Sequence, residues 1–310
     1  MESCYTTASD GLSIYTRAWR PEGEAKGVIV IAHGMSEHGE RYARPAQRFA
    51  ASGYAVFAHD HRGHGRTSPS AEALGHLADE DGWTKTVADI GTITDRARRE
   101  FPDVPLVLIG HSMGSLLSRG YTVGASDRLD ALVLTGTAGD PGLLGRAGLA
   151  IASTEARLRG RRARSHLMNK LTFGSFNSAF KPARTEFDWL TRDEAQVDAY
   201  IADPYCGVIP SAQFFVDLIG GTRLVNDDDV LRQIRPDLPV LLASGDADPV
   251  GGNGKDVAAV ADQLRRVGLT DVTLTLYPGA RHEVFNETNA DEVIDNIIAW
   301  LDDRLVAARQ

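Results

Sequence analysis

Short apolar runs recur along the chain: Val28–Ala32, Tyr54–Ala58, Leu106–Ile109, Ala131–Thr135, Val240–Ala243 and Val272–Tyr277. They are rich in valine, isoleucine and leucine. Read together as runs without alternation, they predict strands buried on both faces of a parallel sheet. The spacers between them are long enough for crossover helices. Residues 1–20 read as a hairpin with Asp10-Gly11 at its turn. Near the other end, Glu292, Val293 and Ile294 through Ile297 and Ile298 to Leu301 place apolar residues at helical spacing, and Asn289 stands three before Glu292, as in a capping box.

One interval breaks this rhythm. Between Thr135 and Leu238 no parallel-strand signal occurs. The block opens on Gly136, Gly139, Pro141 and Gly142, which punctuate a loop, and carries the apolar patches Leu149-Ala150-Ile151 and Phe214-Phe215-Val216. The expected organisation is therefore α/β, a mostly parallel central sheet flanked by helices. Residues 1–135 and 237–310 form the core, and residues 136–236 form a helical cap inserted into it. No internal repeat or low-complexity linker is present.

Composition narrows the function classes. A chain of 310 residues with 43% hydrophobic and 24% charged residues is that of a globular protein, and a net charge of -9 argues against nucleic acid as a partner. No apolar run has the length of a membrane span. The opening MESCYTTASD lacks the basic start and apolar core of a signal peptide. Cys4 and Cys206 are far apart and indicate no disulfide framework, so a reduced, cytoplasmic protein is the expectation.

The chemistry concentrates at VLIGHSMGSLLSRG, residues 107–120. Gly110, Ser112 and Gly114 form G-x-S-x-G between a buried run and a helical pattern. Such a turn lifts a serine hydroxyl above the sheet edge in a strained conformation, and a side chain at either flanking glycine would collide with the neighbouring element. A serine needs a base, and the base needs an orienting acid. Downstream of Ser112 there are two histidines, His166 and His282. His282 follows the run VTLTLY and the turn PGAR, at the carboxyl end of a strand, where open α/β sheets build their sites; it is the better base. The acid should follow the preceding strand, where Asp246 and Asp248 are both available and spacing does not choose between them. For the oxyanion hole, two N–H groups are expected: that of Met113, after the nucleophile, and that of Met35, where Gly34 lets the loop after Ala32 turn sharply.

The stretches HGMSEHGERY, DHRGHGRT, GHSMGS, SGDADPVG and YPGARHEVFNE run in order from residue 33 to residue 287. With them the chain resembles the monoacylglycerol lipase and lysophospholipase branch of the α/β-hydrolases, most weakly in the cap. The resemblance implies that Asp248, three residues after Gly245, is the acid and Asp246 a neighbour. It implies a serine ester hydrolase for single-chain acyl esters, monoacylglycerol or lysophospholipid, working through an acyl-enzyme without a cofactor. It implies a cap that shapes an acyl tunnel and touches lipid surfaces. A carboxylesterase for short or xenobiotic esters, or a cofactor-free haloperoxidase, would carry the same triad. A non-hydrolytic binding protein of this fold usually lacks a triad residue, and here all three are present. Peptide hydrolysis is disfavoured because nothing marks a site for a free amino terminus.

Three other features bear on function. His33, His38, His59, His61 and His64 crowd one region, but without metal-ligand spacing, and no metal is expected. His76 and Asp81 match an acyltransferase spacing by chance. The basic run from Arg157 to Arg164 reads equally as a lipid-headgroup contact or a solvated helix face.

Overall fold

The structure, a computed structural model, describes residues 1–305. Its eight strands are β1 (Glu2–Thr7), β2 (Ser13–Trp19), β3 (Gly27–Ala32), β4 (Tyr54–His59), β5 (Leu106–His111), β6 (Ala131–Thr135), β7 (Val240–Gly245) and β8 (Val272–Tyr277). They form one sheet in the order β1-β2-β4-β3-β5-β6-β7-β8. The β1–β2 hairpin turns at Asp10-Gly11, and β2 pairs antiparallel with β4; every other pairing is parallel. The expected strands are all present in the expected sheet.

The absence of alternation has a direct reading in the packing. In β3, Val28, Val30 and Ala32 face one core while Ile29 and Ile31 face another. The first core is closed by α2 (Gly82–Glu100), α3 (Met113–Ala125) and α9 (Lys255–Arg266); the second by α1 (Ala43–Ala51) and α10 (Ala290–Leu305). A strand covered on both faces has no reason to alternate. Val272–Tyr277 departs from this rule. VTLTLY does alternate, and β8 is an edge strand, half-buried over all but its last residue.

Helix α10 starts where expected, but without the capping box. The Asn289 side chain bonds the Glu292 carboxylate at 3.0 Å through Nδ2 and accepts from Arg192 at 2.8 Å through Oδ1. Both polar atoms are thus engaged by side chains, away from the helix amides.

Between β6 and β7 the chain is helical: α4 (Gly142–Arg159), α5 (His166–Phe173), α6 (Glu194–Ala202), α7 (Ala212–Leu224) and α8 (Asp228–Leu231). This insertion shares the main core. Ala152, Met168, Phe214 and Phe215 join the cluster that covers β3 and β5, while a smaller cluster gathers around Trp189, Leu190 and Tyr200.

Chain direction fixes where chemistry can occur. From β3 the chain proceeds to β4 on one side and, by way of α2, to β5 on the other. A parallel sheet opens a crevice at such a reversal, beyond the carboxyl ends of the strands. The loops after β3, β5, β7 and β8 carry Met35, Ser112, Asp248 and His282.

Candidate active site

Ser112 sits between β5 and α3 at φ 52°, ψ -118°, a conformation that costs a non-glycine residue about 1–3 kcal/mol. Its own N–H bonds Thr135 O at 2.9 Å, which pins the turn to β6. The flanking glycines are required by close approach. A methyl at Gly110 would lie 2.5 Å from Ser118 Oγ, and one at Gly114 would overlap the carbonyl oxygens of Ala32 and His33. The Ala32 carbonyl belongs to β3, whose backbone is tied into the sheet and cannot give way. Gly114→Ala is therefore expected to cost about 1–3 kcal/mol or more, read as a lowered urea midpoint.

His282 Nδ1 lies 2.9 Å from Asp248 Oδ2, and both residues are buried. The other Asp248 oxygen accepts the Val250 N–H at 2.8 Å. Asp246 is exposed, and its Oδ1 accepts the Gly279 N–H at 2.6 Å. The two candidate aspartates differ in their contacts: one meets the imidazole and the other closes a turn. His166 lies exposed at the start of α5, away from this cluster. Burial alone would lower the His282 pKa, but the Asp248 carboxylate, by charge and hydrogen bond, outweighs it and raises the pKa above the ordinary 6.5. His111, with its ring 4.7 Å from that of His282, is held well below the ordinary value by burial and so stays neutral. Gly136, at φ 55°, passes so close that a Cβ there would sit 2.9 Å from His282 Cε1.

The loop after β3 faces the serine: a Cβ on Gly34 would lie 3.2 Å from Ser112 Cβ. The Gly34 N–H is taken by Glu37 Oε1 at 2.5 Å. Among the described residues neither the Met35 nor the Met113 N–H has an acceptor. Met113 also opens α3, where free amides and the helix dipole favour negative charge.

Sequence reasoning gave this loop only a backbone role and missed the side chains that hold it. Arg41 grips Glu283 at 2.5 and 2.6 Å and Glu37 at 2.8 Å; Glu37 also accepts from Tyr42 Oη at 2.8 Å. Burial would raise the Glu283 carboxyl, but Arg41 overrides it and brings the pKa down to about 2; burial pushes Glu37 above its ordinary value against the same cation. This cluster joins the loop after β3 to the residue after His282. The available signal was Glu37 and Arg41 within HGMSEHGERY and Glu283 within RHEVF.

Ser36 is strained as well, at φ 55°. The insertion holds it there. The Ser36 carbonyl accepts from Tyr200 Oη and from the Gly207 N–H, each at 3.0 Å, and its hydroxyl donates to Val208 O at 2.7 Å.

The histidine-rich region is internal scaffold. His33, His59, His61 and His64 are buried, with His59 Nε2 3.1 Å from His61 Nδ1 and the His61 N–H donating to His33 Nε2 at 2.9 Å. Burial lowers all four, His59 and His64 to about 4. His76 meets Ser211 and Asp79 rather than Asp81. The basic run is not a single helix face: α4 ends at Arg159, and beyond it Arg161 and Arg162 pair with Glu80 and Asp79 while Arg164 donates to backbone carbonyls. Among the described residues no helix is long and apolar enough to cross a membrane.

Residues 23–289 match the family described as serine aminopeptidase, S33. The chain is 32% identical to the monoacylglycerol lipase of Mycolicibacterium smegmatis, covering 94% of this chain and 93% of that one. It is 27% identical to the monoglyceride lipase of Mus musculus, covering 97% and 90%. A thermostable carboxyl esterase from Bacillus coagulans, solved with glycerol, superimposes with a TM-score of 0.89 over 98% of both chains at 26% identity.

Proposed function

The chain belongs to the monoacylglycerol lipase family of α/β-hydrolases and is a carboxylic ester hydrolase, and on that premise we propose that it cleaves single-chain acyl esters, monoacylglycerols foremost, with Ser112 as nucleophile. Ser112 Oγ attacks the ester carbonyl while His282 takes its proton. Asp248 holds the imidazole and stabilises its charged form. The Met35 and Met113 N–H groups receive the oxyanion, helped by the amino end of α3. His282 then protonates the leaving alcohol. A water molecule repeats the sequence on the acyl-enzyme, freeing the fatty acid and Ser112. Every step uses groups of the chain, and no cofactor is required.

The observation that supports this reading is the His282–Asp248 pair at 2.9 Å, with the His282 ring 4.7 Å from that of His111, the neighbour in sequence of a serine strained to φ 52°. We take residues 136–236 as the cap over the site. Leu143, Leu144 and Leu158 of α4 are 79%, 85% and 77% exposed, which supports contact between this cap and a lipid surface. The likeness to a carboxyl esterase favours short esters as the second substrate class.

Hydrolysis of a matched panel by the wild type and Ser112→Ala tests the substrate class. The panel holds long-chain monoacylglycerol, lysophosphatidylcholine, triacylglycerol and short p-nitrophenyl esters. A serine-dependent preference for the long-chain monoester is expected. A preference for short esters would move the protein to the general carboxylesterases.

The pH profile follows from the sign of the His282 shift. The base must be neutral, and its pKa is raised, so the imidazole stays protonated to a higher pH than an ordinary histidine. The acid limb of kcat/KM is expected to have its midpoint above 6.5. A midpoint below that value would remove the Asp248 carboxylate as the dominant influence on His282.

A further inference from the structure

His38, Asp203 and Cys206 come together from two parts of the chain. One ring nitrogen, one carboxylate oxygen and Sγ all lie within 4.8 Å of one another. His38 follows the loop after β3, while Asp203 and Cys206 lie between α6 and α7. The imidazole is only 4% exposed. Its Nε2 is 2.8 Å from Asp203 Oδ2, and its Nδ1 has no partner among the described residues. Asp203 and Cys206 are half-buried, which leaves an approach from solvent. The Arg41 guanidinium is already matched by Glu37 and Glu283.

We propose that His38, Asp203 and Cys206 form a site for a divalent transition metal, Zn²⁺ by its chemistry, that staples the insertion to the loop after β3. One sulfur, one nitrogen and one carboxylate oxygen suit Zn²⁺ and disfavour Mg²⁺ and Ca²⁺, which take oxygen. Three protein ligands leave the fourth position to water. Neutral imidazole, thiolate and carboxylate together carry two negative charges and balance the ion. On entry a sulfur–metal bond forms and the thiol proton leaves to solvent, with no change of oxidation state. The site spans the same boundary as the Tyr200, Gly207 and Val208 contacts to Ser36. Its bearing on ester hydrolysis rests on the reading of Met35 as an oxyanion donor; the site itself does not.

The test uses the full chain, stripped with EDTA and titrated with CoCl₂ and then ZnCl₂, without substrate. One equivalent of Co²⁺ is expected to give a thiolate charge-transfer band and tetrahedral visible bands, both displaced by Zn²⁺. The signal should persist in Cys4→Ser, vanish in Cys206→Ser, and need about tenfold or more metal in Asp203→Asn. Zn²⁺ should raise the Tm of the wild type and Cys4→Ser and leave Cys206→Ser unmoved. Should Cys206→Ser fail to fold, the wild type suffices: Zn²⁺ should slow iodoacetamide alkylation of Cys206 and not of Cys4. Absence of the band at stoichiometric Co²⁺, its survival in Cys206→Ser, equal stabilisation of that variant, or unprotected Cys206 would each overturn the site. Because none of these readouts needs turnover, they stand apart from the fate of the lipase reading.

Discussion

Ser112→Ala leaves a folded protein whose ester hydrolysis is lower by about four to six orders of magnitude. The turn is held by the Ser112 N–H bond to Thr135 O and by packing of the glycines on either side, none of which involves the hydroxyl. Alanine inherits the same φ of 52° and the same strain, so circular dichroism and Tm should match the wild type. Ser112→Gly separates strain from chemistry. It should be equally inactive and more stable, because glycine occupies this conformation freely and recovers part of about 1–3 kcal/mol. Retained turnover in either purified variant would remove Ser112 as nucleophile.

Asp248→Asn is expected to lower kcat by about 10⁴, whereas Asp246→Asn should stay within about tenfold of the wild type. An asparagine at Asp248 keeps the shape but can donate to His282 Nδ1, which favours the wrong tautomer and leaves the imidazolium without its counter-charge. Asp246 only accepts the Gly279 N–H at an exposed turn, and the amide oxygen of asparagine can do the same. The variants are compared at one pH on the same monoester, with folding checked in parallel. If Asp246→Asn were the damaging change, the acid would be reassigned.

Much of this architecture was legible because parallel sheets write themselves as apolar runs with helical spacers. Ser112 and the elbow glycines were legible because close approach allows few residue types at Gly110 and Gly114. His282 was legible because its position after a strand left little competition. The choice of Asp248 needed resemblance first and then geometry, since two carboxylates two residues apart differ only in which way the turn aims them. The buried Arg41–Glu283–Glu37 cluster was not legible. Its members are 242 residues apart in the case of Arg41 and Glu283, and no local pattern announces a long-range ion pair. The pairing within the basic run was hidden for a related reason: its arginines look alike in sequence, and only the fold reveals that Asp79 and Glu80 meet two of them. The capping box failed because Arg192, far off in the chain, claimed Asn289.

Part of the insertion's fastening to the loops after β3 and β8 runs through its own main-chain atoms. The Glu283 N–H meets Leu190 O at 2.7 Å, the Gly207 N–H meets Ser36 O at 3.0 Å, and the Ser36 hydroxyl meets Val208 O at 2.7 Å. Amides and carbonyls are the same whatever side chains they carry. The path of this segment is therefore constrained while much of its spelling is free. With the insertion as the proposed cap, its remaining residues can be rewritten without dismantling the loops that carry Ser112 and His282, so long as residues 190 and 207–208 keep their course and Arg192, Tyr200 and Asp203 keep their side chains.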